Sequence, residues 1–295
     1  MLDICCIGHI TVDRIITPDS MVMMPGGTTY YFSHGISKLI NHNPNVSYKL
    51  IASLAKSEMK SVEEIRQQGI DVQVVDSRKT VFFENIYEKN QNNRKQRVHA
   101  MADPFSVDAL KDVEAKYICL GSLLPKDFSL DVVKYLSNKG SIVMDAQGFL
   151  RDVKPNGDVY ACDWNNKFEY FKYIDILKVN EYEVEVLTGK KDLHQAAMQL
   201  AQWGIKEVLL TLGSYGSIVL VNGTFYDIDA YKPLSVVDAT GCGDTYVMGY
   251  VYKRVQGASP LEAAKFATAV STCKLEAHGP FQSTETEAIN RIDKS

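Results

Sequence analysis

The feature that most constrains this chain is an alternation of short apolar runs with stretches of helical spacing. Residues 4–8, 48–53, 117–121, 141–145, 174–179 and 208–212 each read as one buried strand, and most close on Gly, Ser, Asp or Asn. Between them, 130–136 and 196–203 carry apolar residues three and four apart, as a one-faced helix does. Strands separated by helices imply crossover connections and a parallel sheet. Ligands of such sheets gather at the carboxyl ends of the strands. Two segments break the rhythm. Residues 10–25 hold Thr-Val-Asp-Arg-Ile-Ile, a Pro-Asp-Ser turn and Met-Val-Met-Met, and residues 80–101 read as a hairpin. They predict a small β subdomain set into the large one, or otherwise an extra antiparallel edge on the main sheet.

Composition limits what such a sheet can serve. With 295 residues, 45% of them hydrophobic and 23% charged, the chain can build a large core, and disorder, collagen and disulfide scaffolds are excluded. A net charge of −4, from 36 acidic and 32 basic residues, gives no bulk attraction for nucleic acid or an anionic membrane. Any anionic ligand must be held by local devices. The start of the chain lacks the pattern of a signal peptide, and no run of about 18 apolar residues predicts a membrane span. Six cysteines without a C-x-x-C pair predict reduced thiols, no zinc and a cytoplasmic setting.

The sharpest local signal is Val236-Val237-Asp238-Ala239-Thr240-Gly241-Cys242-Gly243-Asp244-Thr245, followed by a helical run through Tyr252. A glycine-rich turn opening a helix leaves backbone N–H groups aimed at one point, an anion hole reinforced by the helix dipole. Asp244 would repel phosphate there, which suits it instead to take a proton from a hydroxyl attacking phosphorus. The simpler role is a cap on the first helical turn. No G-x-x-x-x-G-K-[ST] occurs, and Tyr246 stands where a dinucleotide fingerprint needs its third glycine.

Asp238-Ala-Thr-Gly-Cys-Gly-Asp244 resembles the D-x-x-G-x-G-D signature of the ribokinase-like (PfkB) carbohydrate kinases. Further stretches match the family in order. Gly8-His-Ile-Thr-Val-Asp13 is similar to its first strand and substrate-binding Asp, and Pro25-Gly26-Gly27 resembles its Gly-Gly substrate motif. Asn180-Glu-Tyr-Glu183 matches N-x-x-E, and Thr211-Leu-Gly213-Ser-Tyr-Gly216 the nucleotide-contacting T-x-G-x-x-G turn. The resemblance implies an α/β fold, a ribokinase-like three-layer sandwich with a central mostly parallel sheet and a small β lid. It spans 1–295 as one kinase domain with lid segments about 10–25 and 80–101. The implied activity is transfer of the γ-phosphoryl of Mg-ATP to a hydroxyl of a sugar or polyol. Asp244 would be the base, with the N–H groups of Gly241, Cys242 and Gly243 as the anion hole. Asp13, Gly26 and Gly27 would hold the acceptor, with Tyr31 beside it. Thr211, Gly213, Gly216 and Asn180 would border ATP, and Asn180 and Glu183 would organise Mg²⁺ through water. Asp238 and Ser283 fit the family's potassium-site pattern. Paired lids imply a homodimer.

The substrate end matches less well. Tyr31 occupies the place of an Asn that holds sugar hydroxyls in ribokinase- and fructokinase-like members, which weakens the case for ribose and fructose. A nucleoside or vitamin-alcohol kinase, and a binding or regulatory protein without turnover, are the competing readings. Residues 145–151, Asp-Ala-Gln-Gly-Phe-Leu-Arg, follow a strand, resemble stretches in inositol-kinase-like members, and offer Gln147 and Arg151 to the site, Arg151 having a solvated surface role as its alternative. His9 is divided between pocket and structural roles. His278 reads as structural, and Lys89, Arg94, Lys95 and Arg97 as mainly a solvated face.

Overall fold

The computed structural model describes residues 1–41, 43–87 and 94–293. Its strands, in chain order, are β1 (Leu2–His9), β2 (Thr11–Ile16), β3 (Met21–Gly26), β4 (Tyr48–Leu54), β5 (Asp71–Asp76), β6 (Val81–Tyr87), β7 (Arg94–Ala100), β8 (Ala115–Gly121), β9 (Ser141–Asp145), β10 (Arg151–Val153), β11 (Val159–Ala161), β12 (Ile176–Asn180), β13 (Glu207–Thr211), β14 (Ser217–Val221) and β15 (Thr224–Ile228). The helices are α1 (Thr28–Ile40), α2 (Met59–Arg66), α3 (Leu130–Leu136), α4 (Lys167–Tyr170), α5 (Glu181–Thr188), α6 (Leu193–Gln202), α7 (Cys242–Val255), α8 (Pro260–Leu275) and α9 (Glu285–Asp293).

Nine strands form one sheet in the order β15-β14-β13-β12-β9-β8-β1-β4-β5. From β13 to β5 every neighbouring pair is parallel, and β14 and β15 add an antiparallel edge. Successive side chains of a strand point to opposite faces. In β1, Ile4 and Cys6 enter one core while Cys5 and Ile7 enter the other. Tyr31, Met248, Tyr250 and Phe266 of α1, α7 and α8 fill the first, and Val132, Val184 and Leu200 of α3, α5 and α6 the second. This double burial is why the strands read as unbroken apolar runs.

Four strands outside that sheet pair in the order β3-β2-β6-β7. β2–β3 and β6–β7 are antiparallel, and β2 joins β6 in parallel. The two rhythm-breaking segments therefore make a separate lid sheet and not an extra edge on the main one. Its inner face packs Val81, Phe83 and Val98 on Leu123 and Leu124. Lys89 lies outside the described residues, as does the side chain of Arg94. Helix α9 buries Ala288. Among the described residues no helix is long and apolar enough to cross a membrane.

Candidate active site

The carboxyl ends of β1, β8, β9, β12 and β13 open under the lid, and α1 and α7 begin there. Gly8 and Gly121 face each other in register across β1 and β8. A Cβ on Gly8 would lie 2.8 Å from Thr29 Cγ2, and one on Gly121 2.7 Å from Thr28 Cβ. These bare positions let the first turn of α1 rest on the sheet. Gly27, at φ 93°, redirects the chain from β3 into α1, where a Cβ would strike the His9 carbonyl at 2.4 Å. Thr29 Oγ1 donates to that same carbonyl at 3.0 Å.

Gly241 caps α7 in the left-handed region, φ 76°. Tyr31 lies directly beneath it, since a Cβ there would fall 2.2–2.6 Å from the tyrosine ring. Tyr31 is thus a buried support for the turn, as well as part of the cleft wall. Gly241 and Gly243 line the cleft. Cys242 does not: its N–H donates to the Ala239 carbonyl at 3.2 Å, and its thiol points back to the Ser271 carbonyl. Of the three amides expected to form the anion hole, the middle one is thus engaged by the turn itself. Burial pushes the Cys242 thiol up to about 11.

Asp244 sits in the first turn of α7 and lines the cleft. Its carboxyl keeps some surface open to the cleft, yet packed protein removes most of its hydration. Burial, joined by the negative charge of Asp145, raises it to about 6, against the opposing pull of Lys178 and a hydrogen bond with the Thr28 side chain. A buried carboxylate of this kind is poised to accept a proton near neutral pH.

Lys178, in the middle of β12, has its side chain 6% exposed, with Nζ 3.0 Å from Asp145 Oδ2 and 3.9 Å from Glu183 Oε2. Burial alone would lower it, but Asp145 and Glu183 outweigh that and hold it above the ordinary lysine value. Gly243 has no side chain to obstruct this ammonium, 3.2 Å from where its Cβ would be. Sequence reading missed Lys178, although a lone cation in an apolar parallel strand was a usable signal. Asn180 begins α5 with a reciprocal cap: its Oδ1 accepts from Tyr182 and Glu183 N–H at 2.9 and 2.8 Å, and Glu183 Oε2 accepts from Asn180 N–H at 2.8 Å. The Glu183 side chain is 11% exposed, and desolvation raises its carboxyl, with Lys178 opposing. Asp145 Oδ1 also accepts from Gln147 N–H at 2.9 Å.

The lid supplies the other wall. Asp13 accepts from Thr11 Oγ1 at 2.6 Å, and Gly26 stands behind it, where a Cβ would fall 2.5 Å from Asp13 Oδ2. Asn85 of β6 accepts from Gln96 Nε2 of β7 at 2.8 Å, and both line the cleft. Sequence reading missed this pair. Arg151 is buried, donates to the Leu123 carbonyl at 2.8 Å and covers the Phe83 ring at 5.3 Å, so it is no surface charge. Thr211 and Gly213 border the same cleft of about 330 Å³. A wider groove adjoins it, and Lys95 and Arg97 line that groove, with Arg97 bonded to Asp158 at 2.8 Å.

Other expected residues lie elsewhere. Gly216 is a turn glycine whose missing Cβ makes room for the Ile228 carbonyl, and it does not line the cleft. His9 is fully buried beside Phe105, 3.5 Å from Asp127, and His278 is exposed. Asp238 has both carboxylate oxygens engaged: Oδ1 by Thr240 N–H at 2.9 Å, Oδ2 by Gly279 N–H at 3.1 Å and by Lys274 Nζ at 3.2 Å. Ser283 lies half-buried in the turn before α9. The carboxylate expected at a potassium site is thus already met by two amides and an ammonium. Burial alone would raise Asp238, but Thr240 N–H and Lys274 hold it below the ordinary value. The described cysteines are all free, and among the described residues no cluster of three or more His, Cys, Asp or Glu forms a metal cage.

Comparison with known proteins bears on this geometry. A family model for the pfkB family carbohydrate kinases matches residues 1–287. The cytidine kinase of Thermococcus kodakarensis is 25% identical over 267 residues, covering 89% of this chain and 91% of that one. A ribokinase of Arabidopsis thaliana is 29% identical over 176 residues, 57% of this chain and 43% of the relative. Among solved structures, a pyrophosphate-dependent kinase in the ribokinase family, complexed with a pyrophosphate analog and myo-inositol, superposes with a TM-score of 0.86 at 28% identity, covering 97% of this chain and 99% of that one. Arabidopsis thaliana ribokinase with ribose and ATP gives 0.77 at 20% identity over the full length of both chains, a likeness of fold.

Proposed function

Because the chain belongs to the pfkB family of carbohydrate kinases, we propose that it moves the γ-phosphoryl of Mg-ATP to a hydroxyl of a sugar or polyol, with Asp244 as base. The observation that carries this reading is the half-buried Asp244 carboxyl, raised to about 6 and lining one cleft with Gly241, Gly243 and the lid residues Asp13 and Asn85. The acceptor hydroxyl would lie between Asp13 and Asp244. As its oxygen bonds to the γ-phosphorus, the proton passes to Asp244 and the bond from phosphorus to the ADP oxygen breaks. The two glycine amides face the charge on the transferring group before it forms, which is when fixed donors are most effective. The lid excludes water, the competing acceptor.

Magnesium suits the remaining donors only through its own waters. The side-chain Oδ1 of Asn180 already accepts from two amides, which leaves Glu183 and Asp145 beside Lys178 to meet the hydrated ion. When bound, it would neutralise donor phosphate charge. Thr211 and Gly213 are the residues that would border ATP.

A polyhydroxylated acceptor suits the cleft better than a flat base. Asp13, Asn85 and Gln96 offer hydrogen-bonding groups, the Phe83 ring is covered by Arg151, and the Tyr31 ring supports Gly241. The cytidine kinase relative keeps a nucleoside acceptor as the second reading. The test is a panel of polyols (myo-inositol included), sugars and nucleosides, each assayed for product with ATP and with pyrophosphate. Turnover only with nucleosides would replace the polyol reading. Product from pyrophosphate but not ATP would replace the donor. Ligand-induced stabilisation without turnover would favour a binding protein.

A homodimer through the lid is supported by β3, the lid's edge strand, where Met21, Val22 and Met23 are 65%, 50% and 52% exposed. Sedimentation should give a dimer that Val22→Lys disperses; a wild-type monomer at micromolar concentration removes this part.

A further inference from the structure

Lys274 belongs to the last turn of α8, yet its side chain is 0% exposed. Its Nζ donates to the Asp238 carbonyl at 2.7 Å and pairs with Asp238 Oδ2 at 3.2 Å. It also lies 5.9 Å from the centre of the Tyr31 ring, the ring that supports Gly241. The C-terminal end of α8 further favours a cation at this point. A long, flexible, charged side chain is buried completely only when its charge is matched, and here both partners are atoms of one residue in the glycine turn.

We infer that the Lys274 ammonium is a built-in monovalent cation of the glycine turn, so that this enzyme needs no potassium. A bound ion would require the Asp238 carbonyl and carboxylate, which Lys274 already occupies. The consequence reaches the cleft through one peptide unit. In a trans peptide the N–H points opposite the C=O. Drawing the Asp238 carbonyl toward Lys274 turns the Ala239 N–H the other way, and Ala239 lines the cleft. Lys274 is thus a positioning residue: it touches no substrate, and it fixes the dipole of a peptide beside Gly241 and Gly243.

This inference rests on the turn holding phosphate, and thermal stability in different salts is read without turnover, so the two can fail separately. Wild-type protein should show the same melting temperature in lithium, sodium and potassium chloride at about 0.1 M. Turnover of whichever panel alcohol is phosphorylated should change less than about twofold. Lys274→Ala should lose about tenfold or more in sodium, recover with potassium or ammonium, and gain stability from them over lithium. Lys274→Met, which keeps the stem and fills the space, should lose activity without recovery. Potassium activation of the wild type by several-fold would overturn the inference, as would full activity of Lys274→Ala in sodium. So would a folded Lys274→Ala that potassium neither stabilises nor reactivates. If neither variant folds, the wild-type salt series decides alone.

Discussion

Replacing Asp244 by Asn should harm catalysis and help stability, and the pairing of the two is the test. The carboxyl rises from 3.8 to about 6, chiefly through burial. A raised folded-state pKa means that the protonated form is the favoured one. Its contribution to stability is complete below the unfolded value and is lost as pH climbs through about 6. At about 1.4 kcal/mol per unit, the ionised group costs about 3 kcal/mol near pH 8 and about 1 kcal/mol near pH 4.5. Asn is neutral at both. The variant should therefore unfold at a temperature higher by roughly 6 °C at pH 8, with most of that gain gone near pH 4.5. Over the same range kcat should fall by ~10²–10⁴, with little change in ATP affinity. Wild-type kcat/KM should decline below about pH 6, where the base becomes protonated. Calorimetry at the two pH values and a steady-state assay read all of this. Near-wild-type turnover, or a stability gain equal at both pH values, would refute the reasoning.

Three further substitutions probe the surrounding frame. Lys178→Met removes the charge that restrains Asp244, so the acid limb of kcat/KM should move to higher pH, and a broken buried pair should cost about 3–5 kcal/mol by urea denaturation. Gly241→Ala forces a left-handed residue and a contact with Tyr31, about 2–5 kcal/mol together, and trimming Tyr31 in the same chain should return the steric part. Asn85→Leu breaks the amide pair with Gln96 and should alter acceptor preference by roughly 10–100-fold in kcat/KM while leaving ATP affinity intact. Unchanged acceptor ranking would remove the pair from the recognition surface.

Much of the sheet was legible because β1, β4, β8, β9, β12 and β13 are buried on both faces, which writes them as apolar runs. The turn at 238–245 was legible because glycines that a backbone needs lie side by side. What escaped were single side chains that acquire meaning across the sheet. Lys274 sits in a helical pattern, where a lysine ordinarily reads as solvent-facing. Lys178 and Thr28 gain their roles from Asp145 and Asp244, which are distant in sequence. The Asn85–Gln96 pair depends on the register of β6 and β7. Nor does the motif show that the Cys242 N–H meets the Ala239 carbonyl, a contact that depends on how the turn closes.

One residue, Gly27, separates the end of the lid strand β3 from Thr28, which hydrogen-bonds Asp244. Lid and Thr28 are consequently neighbours on a single stretch of chain, with no slack between them. Grafting a foreign lid to change the acceptor would therefore have to respect the phase of that junction to the residue. An insertion at Gly26–Gly27 would turn Thr28 away from Asp244 and alter the surroundings of that carboxyl along with the acceptor wall. The turn at 17–20, closed by its own Thr17 and Ser20 hydrogen bonds and exposed, is the place where length can be exchanged freely.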